Sequence, residues 1–167
     1  MGTLVLAGAT SGSTTLTPTD AVTATITMPS ATCTLAGVGV NVGSPITNSL
    51  TGNVTLNNTS NYFTGPTVAQ GSTGTWFASG SVVMIDTAGG AIFDVKLWDG
   101  TTLIAETRVV TTSASQEQGG SVSGFITSPA GNIRISVRDV SSTSGQIRFN
   151  SNSDGSKTAT LTAFRIG

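Results

Sequence analysis

The chain has 167 residues, of which 37% are hydrophobic and only 9% charged, with 21 glycines, one cysteine and no histidine. The missing histidine excludes Ser-His-Asp and Cys-His catalysis and His-ligated zinc, and the lone Cys33 excludes an intrachain disulfide or a CxxC motif. A formal net charge of −1 argues against nucleic acid as a partner, because such binders display a basic face.

Serine and threonine supply 51 residues and take the place of the missing charge. The first residues carry no Lys or Arg, and the apolar stretches fall far short of the roughly 20 residues that cross a bilayer. The expectation is a chain with no membrane span and no secretory leader. Of the charged residues only Asp20 precedes position 86. Over residues 1–45 short apolar/Thr alternations recur, at 3–6, 14–17, 22–27 and 34–40, punctuated by Gly8, Gly12, Pro18, Pro29 and Gly43. Period-two alternation is the mark of half-buried strands. Strands this narrow bury little within one chain. This predicts an N-terminal β-arm ordered by neighbouring subunits, with Leu4, Leu6, Leu16, Val22, Ile26 and Leu35 as its candidate capsid or subunit contacts.

Residues 46–167 predict a second, larger domain of longer strands at 46–56, 62–68, 75–85, 91–98, 102–111, 120–128, 132–139, 146–150 and 157–165. In the fourth, Ala91, Phe93, Val95 and Leu97 face inward, with Asp94 and Lys96 outward. The next places Leu103, Ala105, Thr107 and Val109 on one face, with Glu106 and Arg108 on the other. Turning at Asp99-Gly100, the two strands make Asp94 with Arg108 and Lys96 with Glu106 diagonal neighbours. Further turns fall at Ala88-Gly89-Gly90, Pro129-Ala130-Gly131 and Asp154-Gly155. No window sustains a helical apolar period. The fold class expected is an all-β antiparallel jelly-roll sandwich of eight or nine strands behind an N-terminal β-arm.

Three segments carry a resemblance: Gly74-Thr75-Trp76-Phe77, the paired strands across 91–111, and the terminal Leu161-Thr162-Ala163-Phe164-Arg165. With them, residues 62–167 resemble the trimeric jelly rolls of the tumour-necrosis-factor and complement-globular-domain type, which bacteriophages use in virion proteins. Residues 1–37 are similar to a Thr-rich segment of phage tail-fibre and other virion proteins, although Cys33 stands where that segment usually has an acidic residue or glycine. The resemblance implies a phage structural protein that assembles as a homotrimer and attaches through its arm.

Individual residues each have a plainer reading beside a functional one. From Asn150 to Gly155 the oxygen-bearing side chains imitate a calcium loop, yet Leu161 stands where a late bidentate Glu belongs, which favours a turn. Trp76, Trp98, Tyr62 and Phe63 suit a sugar platform or, more simply, core and interface. Asp94, Asp99 and Glu106 read as solvated surface, and together with Glu117 they offer no constellation for a glycosidase pair. Cys33 reads as a small packing residue. Arg134 and Arg138 lie four apart on one strand and so share a face, either solvated or meeting acidic groups of a neighbour.

The expected function is therefore non-enzymatic, with no catalytic residues, cofactor or metal. It is a capsid decoration (cement) protein on the virion surface, binding major capsid protein or other virion proteins as a trimer. The alternative is a tail-fibre or receptor-binding tip on the virion tail that recognises host glycans.

Overall fold

A computed structural model of the protein describes residues 4–7, 13–16, 43–151 and 157–166. The chain divides into two compact units, Met1–Gly37 and Val38–Gly167. In the first, strands β1 (Leu4–Ala7) and β2 (Ser13–Leu16) pair antiparallel with Leu4 opposite Leu16 and Leu6 opposite Thr14. The predicted contacts Val22, Ile26 and Leu35, together with Cys33, lie outside the described residues.

Among the described residues, the second unit has ten antiparallel strands in two sheets. One sheet has four strands, ordered β5 (Phe63–Val68), β10 (Ile133–Asp139), β7 (Ile92–Trp98) and β8 (Leu103–Val110). The other is organised by β6 (Thr75–Asp86), the longest strand at 12 residues. On one side β6 pairs along most of its length with β9 (Gln118–Thr127). On the other it pairs end to end with β12 (Thr160–Arg165) and β11 (Gly145–Arg148). Outside these lie β3 (Ile46–Ser49) against β12 and β4 (Val54–Leu56) against β11. The sheet is thus four tracks wide, and two such layers face each other.

The expected strand at 46–56 is in fact two strands. Its partners β12 and β11 are separate segments, so the chain steps between them at Thr51-Gly52. One face assignment is also corrected. Leu103 does not share the face of Val109: it is 52% exposed, whereas Val109 is buried. Pairing of β7 with β8 runs in register from Ile92 opposite Val110 to Leu97 opposite Ala105, then slips so that Trp98 faces Leu103. A slip of one residue sends every later side chain to the other face, and Ile104 packs against the core instead.

The core follows the period of two. Phe93, Val95 and Leu97 of β7, Ile133, Ile135 and Val137 of β10, Val82 and Met84 of β6, and Leu161 and Ile147 from the opposite layer are fully buried. Glycine sets how closely the layers meet: a Cβ on Gly124 of β9 would stand 2.7 Å from the Ile104 side chain. Only glycine admits that approach. The end loops are closed by buried acids. Asp99, expected at the surface, is 2% exposed and accepts hydrogen bonds from the backbone N–H groups of Thr101 (2.8 Å), Thr102 (2.6 Å) and Ala130 (2.7 Å). A carboxylate is the side chain that satisfies three converging donors, which is why it is buried.

Candidate functional site

Because both sheets bury one face, the outward residues of each form a grid whose rows are set by strand register. On the four-stranded sheet, the row at one end reads Tyr62, Arg138, Asp94 and Arg108, with Tyr62 immediately before β5. The next row is Thr64, Ser136, Lys96 and Glu106, and the third is Thr67, Arg134, Trp98 and Leu103. Four of the seven Lys and Arg residues of the chain therefore share one face.

Asp94 is the hub of the first row. Its Oδ1 accepts from Arg108 Nε at 2.7 Å and its Oδ2 from Arg138 Nη2 at 2.7 Å. The side chain of Asp94 is 14% exposed, while that of Arg108 is 63% exposed. The Arg108 bond holds the Asp94 carboxyl below its ordinary value against the opposing effect of burial, and Arg138 adds to it. The expected Asp94–Arg108 neighbourhood is thus real, although the two stand directly opposite rather than diagonally.

Lys96 stands directly opposite Glu106 rather than diagonally, but the two make no ion pair. Its ammonium lies 3.4 Å from the Trp98 ring centre and 3.9 Å from that of Tyr62. Arg138 and Arg134 approach the same two rings at 4.9 Å and 5.0 Å. Such cation–π contacts contribute about 0.5–2 kcal/mol each. Burial lowers the Lys96 pKa, and Arg134 and Arg138 lower it further, so the local field is positive despite Glu106. Trp98 donates its indole N–H to the buried Ser136 hydroxyl at 2.9 Å, which fixes the ring plane. Tyr62, Asp94, Glu106, Thr107, Arg108 and Arg138 line an open pocket of about 470 Å³. Of the four aromatics considered for a platform, Trp76 is core, with its N–H donated to the Thr73 carbonyl at 2.9 Å. Tyr62 and Trp98 face outward together. Arg134 and Arg138 do share that face, and the acid that meets Arg138 is Asp94 of its own chain.

The outer face of the larger sheet is a different grid. One row sets Phe125, Phe77 and Phe164 side by side on β9, β6 and β12. Ring centres are 4.9 Å apart for Phe77–Phe125 and 5.3 Å for Phe77–Phe164, and Phe125 is 65% exposed. The neighbouring rows are Ser123, Ser79, Thr162 and Thr47, then Ser121, Ser81, Thr160 and Ser49. Hydroxyls bond across strands, Thr47 to Thr162 at 2.9 Å, Ser49 to Thr160 at 2.8 Å and Thr75 to Thr127 at 3.0 Å. None of these positions is ionisable. The Arg148–Glu117 ion pair, 3.4 Å apart, lies towards the far end of β6.

Two carboxyls are fully buried at one end of the sandwich. Asp86 accepts from Ala88 N–H (2.7 Å), Ser144 Oγ (2.9 Å) and Ser142 Oγ, and Asp139 from Ser141 N–H (2.9 Å) and Ser142 N–H (3.1 Å). For Asp86 burial acts upward, but the Ser142, Ala88 and Ser144 donors outweigh it and lower the pKa to about 2. For Asp139 burial dominates and raises the pKa, and the neighbouring Asp86 charge adds to it. These groups hold the loops together. Among the described residues, no three His, Cys, Asp or Glu side chains cluster closely enough to hold a metal ion. The calcium-like stretch ends in residues 152–156, outside the described residues, as does the Asp154-Gly155 turn.

Two packed, antiparallel, four-track layers decide the architecture. The fold is a jelly roll. No family model matches the chain, and no curated protein matches it by sequence. Among solved structures, the chain is similar to the Eiger tumour-necrosis-factor protein of S. frugiperda, at 9% identity and a TM-score of 0.46 over 74% of this chain and 92% of that one. It is also similar to the C-terminal CBM6 module of the marine laminarinase LamC from Zobellia galactanivorans, at 14% identity and a TM-score of 0.35 over 75% and 99% of the two chains. These likenesses concern the fold.

Register is what the sequence reading lacked. The shared face of Arg134 and Arg138 follows from spacing within one strand, whereas the Phe125–Phe77–Phe164 row joins positions 39 to 87 residues apart. Each phenylalanine does occupy an outward position of an alternating strand, and that was the available signal.

Proposed function

We propose that the protein is a non-enzymatic virion building block that assembles as a homotrimer and cements a phage capsid. The observation that carries this reading is the set of aromatic and hydroxyl rows on the outer face of the larger sheet, which hold no ionisable group, with Phe125 exposed on the edge strand β9. A solvent-exposed aromatic row ringed by Ser and Thr hydroxyls is a surface that gains by being covered. A second and third copy of the same chain meet it without bringing ionised groups together, so no charge is desolvated on assembly. The resemblance to trimeric phage jelly rolls supports the same occupant. The Thr-rich first unit then provides strands for pairing with neighbouring capsid subunits.

Antibody labelling of purified virions tests the location: label over the head agrees, and label confined to the tail tip overturns it. Removing residues 1–36 is expected to leave a trimer that no longer binds capsids, and undiminished capsid binding would refute the role of the arm.

A second reading, a tail tip that recognises host glycans, is favoured by one observation. The pocket of about 470 Å³ on the opposite face combines a tyrosine ring with hydrogen-bond donors and acceptors, the usual furniture of a small-ligand site.

A further inference from the structure

We propose that the outer face of the β5-β10-β7-β8 sheet binds an acidic saccharide, a sugar bearing a carboxylate as well as hydroxyls. The proposal deepens the glycan reading and rests on it for the ligand being a sugar. It requires no particular place in a virion.

Charge comes first. One carboxylate, Asp94, serves both Arg108 and Arg138, so each guanidinium is only partly neutralised. Among the described residues, Lys96 and Arg134 have no carboxylate within ion-pair distance, and the Nε atoms of Arg134 and Arg138 are buried without a hydrogen-bond partner. Four cations against Asp94 and Glu106 leave the face positive in a chain whose net charge is −1. A patch opposite in sign to the whole molecule recruits anions.

The aromatic rings narrow the class. Tyr62 and Trp98 are already covered by the chain's own cations, Lys96 between them and Arg138 and Arg134 at their flanks. A neutral sugar that stacks its C–H face on a bare ring would have to displace those cations. An anion instead adds to them. The acceptors narrow it further. Glu106 and Asp94 line the same pocket as Arg108 and Arg138. Both accept hydrogen bonds from sugar hydroxyls, donors that the side chains of an acidic peptide lack. A carboxylate for the guanidiniums and hydroxyls for Glu106 and Asp94 is the combination that an acidic sugar supplies.

Isothermal titration of the full chain with tri-galacturonate, neutral galactotriose and tetraglutamate tests this. The expected result is binding of tri-galacturonate at least about tenfold tighter than of the other two, weakening several-fold as salt rises to about 0.15 M. Lys96→Gln and Arg134→Gln should each weaken it about fivefold or more at a temperature where the variant is still folded, while Glu106→Gln should not weaken binding of the carboxylate itself. Ser123→Ala on the opposite face should change nothing. Galactotriose binding as tightly as tri-galacturonate would overturn the acidic class while leaving the glycan reading intact. No binding of either sugar would overturn both. Tetraglutamate binding as tightly as the sugar, or sulfate displacing it at equal ionic strength, would reduce the face to a docking patch or a simple anion site and overturn the proposal.

Discussion

The two outer faces of the sandwich have the same construction and opposite chemistry. Each is a grid of outward side chains in rows, standing on a common core of Phe93, Leu97, Val137, Val82 and Leu161. On the smaller sheet the grid carries Arg108, Arg134, Arg138, Lys96, Asp94 and Glu106, knitted by ion pairs and cation–π contacts. The larger sheet presents three phenylalanines and a field of hydroxyls. Water solvates the first well and the phenylalanine row of the second poorly. One fold thus offers a face suited to ligands that come and go and a face suited to permanent cover.

Changes that strike the shared core should erase the distinction first. Phe93→Ala removes a fully buried ring between the layers and should cost roughly 3–5 kcal/mol in urea unfolding, disabling both faces together. Next come the buried acids at the end of the sandwich. Asp86 has its pKa lowered to about 2, so it stabilises the fold above the ordinary carboxylate range, and that contribution is lost as pH falls from about 4 towards 2. It amounts to about 2 kcal/mol, and Asp86→Asn should flatten the acid limb of a stability–pH curve by that much. Asp139 has the opposite sign. Its raised pKa favours the protonated form, so its contribution is present in acid and lost as pH rises through that value, and Asp139→Asn should remove this loss.

Smaller effects separate the faces. Asp94→Ala leaves Arg108 and Arg138 facing each other without their shared acid. Partial exposure places the cost between that of surface and buried pairs, at roughly 1–2 kcal/mol by thermal unfolding, with more loss at low salt than at high. Thr75→Val breaks one hydroxyl bond on the other face and should change stability by less than about 0.5 kcal/mol. An effect of several kcal/mol there would mean that the uncharged grid is structural in the isolated chain.

Much of this architecture is legible in the sequence, because strand alternation is a local property. Phe93, Val95 and Leu97 against Asp94 and Lys96 identify the inner and outer faces of β7 without reference to any other segment. The turn at Asp99-Gly100 is legible for the same reason, and the positive φ of Gly100, 99°, is what glycine supplies. The burial of Asp99 is not legible, since one of its three donors, Ala130, comes from 31 residues away. Nor is the slip that exposes Leu103, which depends on how β8 meets β7 beyond Leu97. The candidate sites divide along the same line. Arg134 and Arg138 are linked by spacing, while their partners Asp94, Tyr62 and Trp98 are brought in by strand order.

On the proposed reading, other copies of the chain cover the phenylalanine row of the larger sheet. Light scattering on the purified full-length protein measures this directly. A particle of three times the 16.7 kDa chain mass is expected, falling to a single folded chain on Phe125→Glu. A wild-type particle of one chain mass at micromolar concentration, or a trimer indifferent to Phe125→Glu, would contradict it.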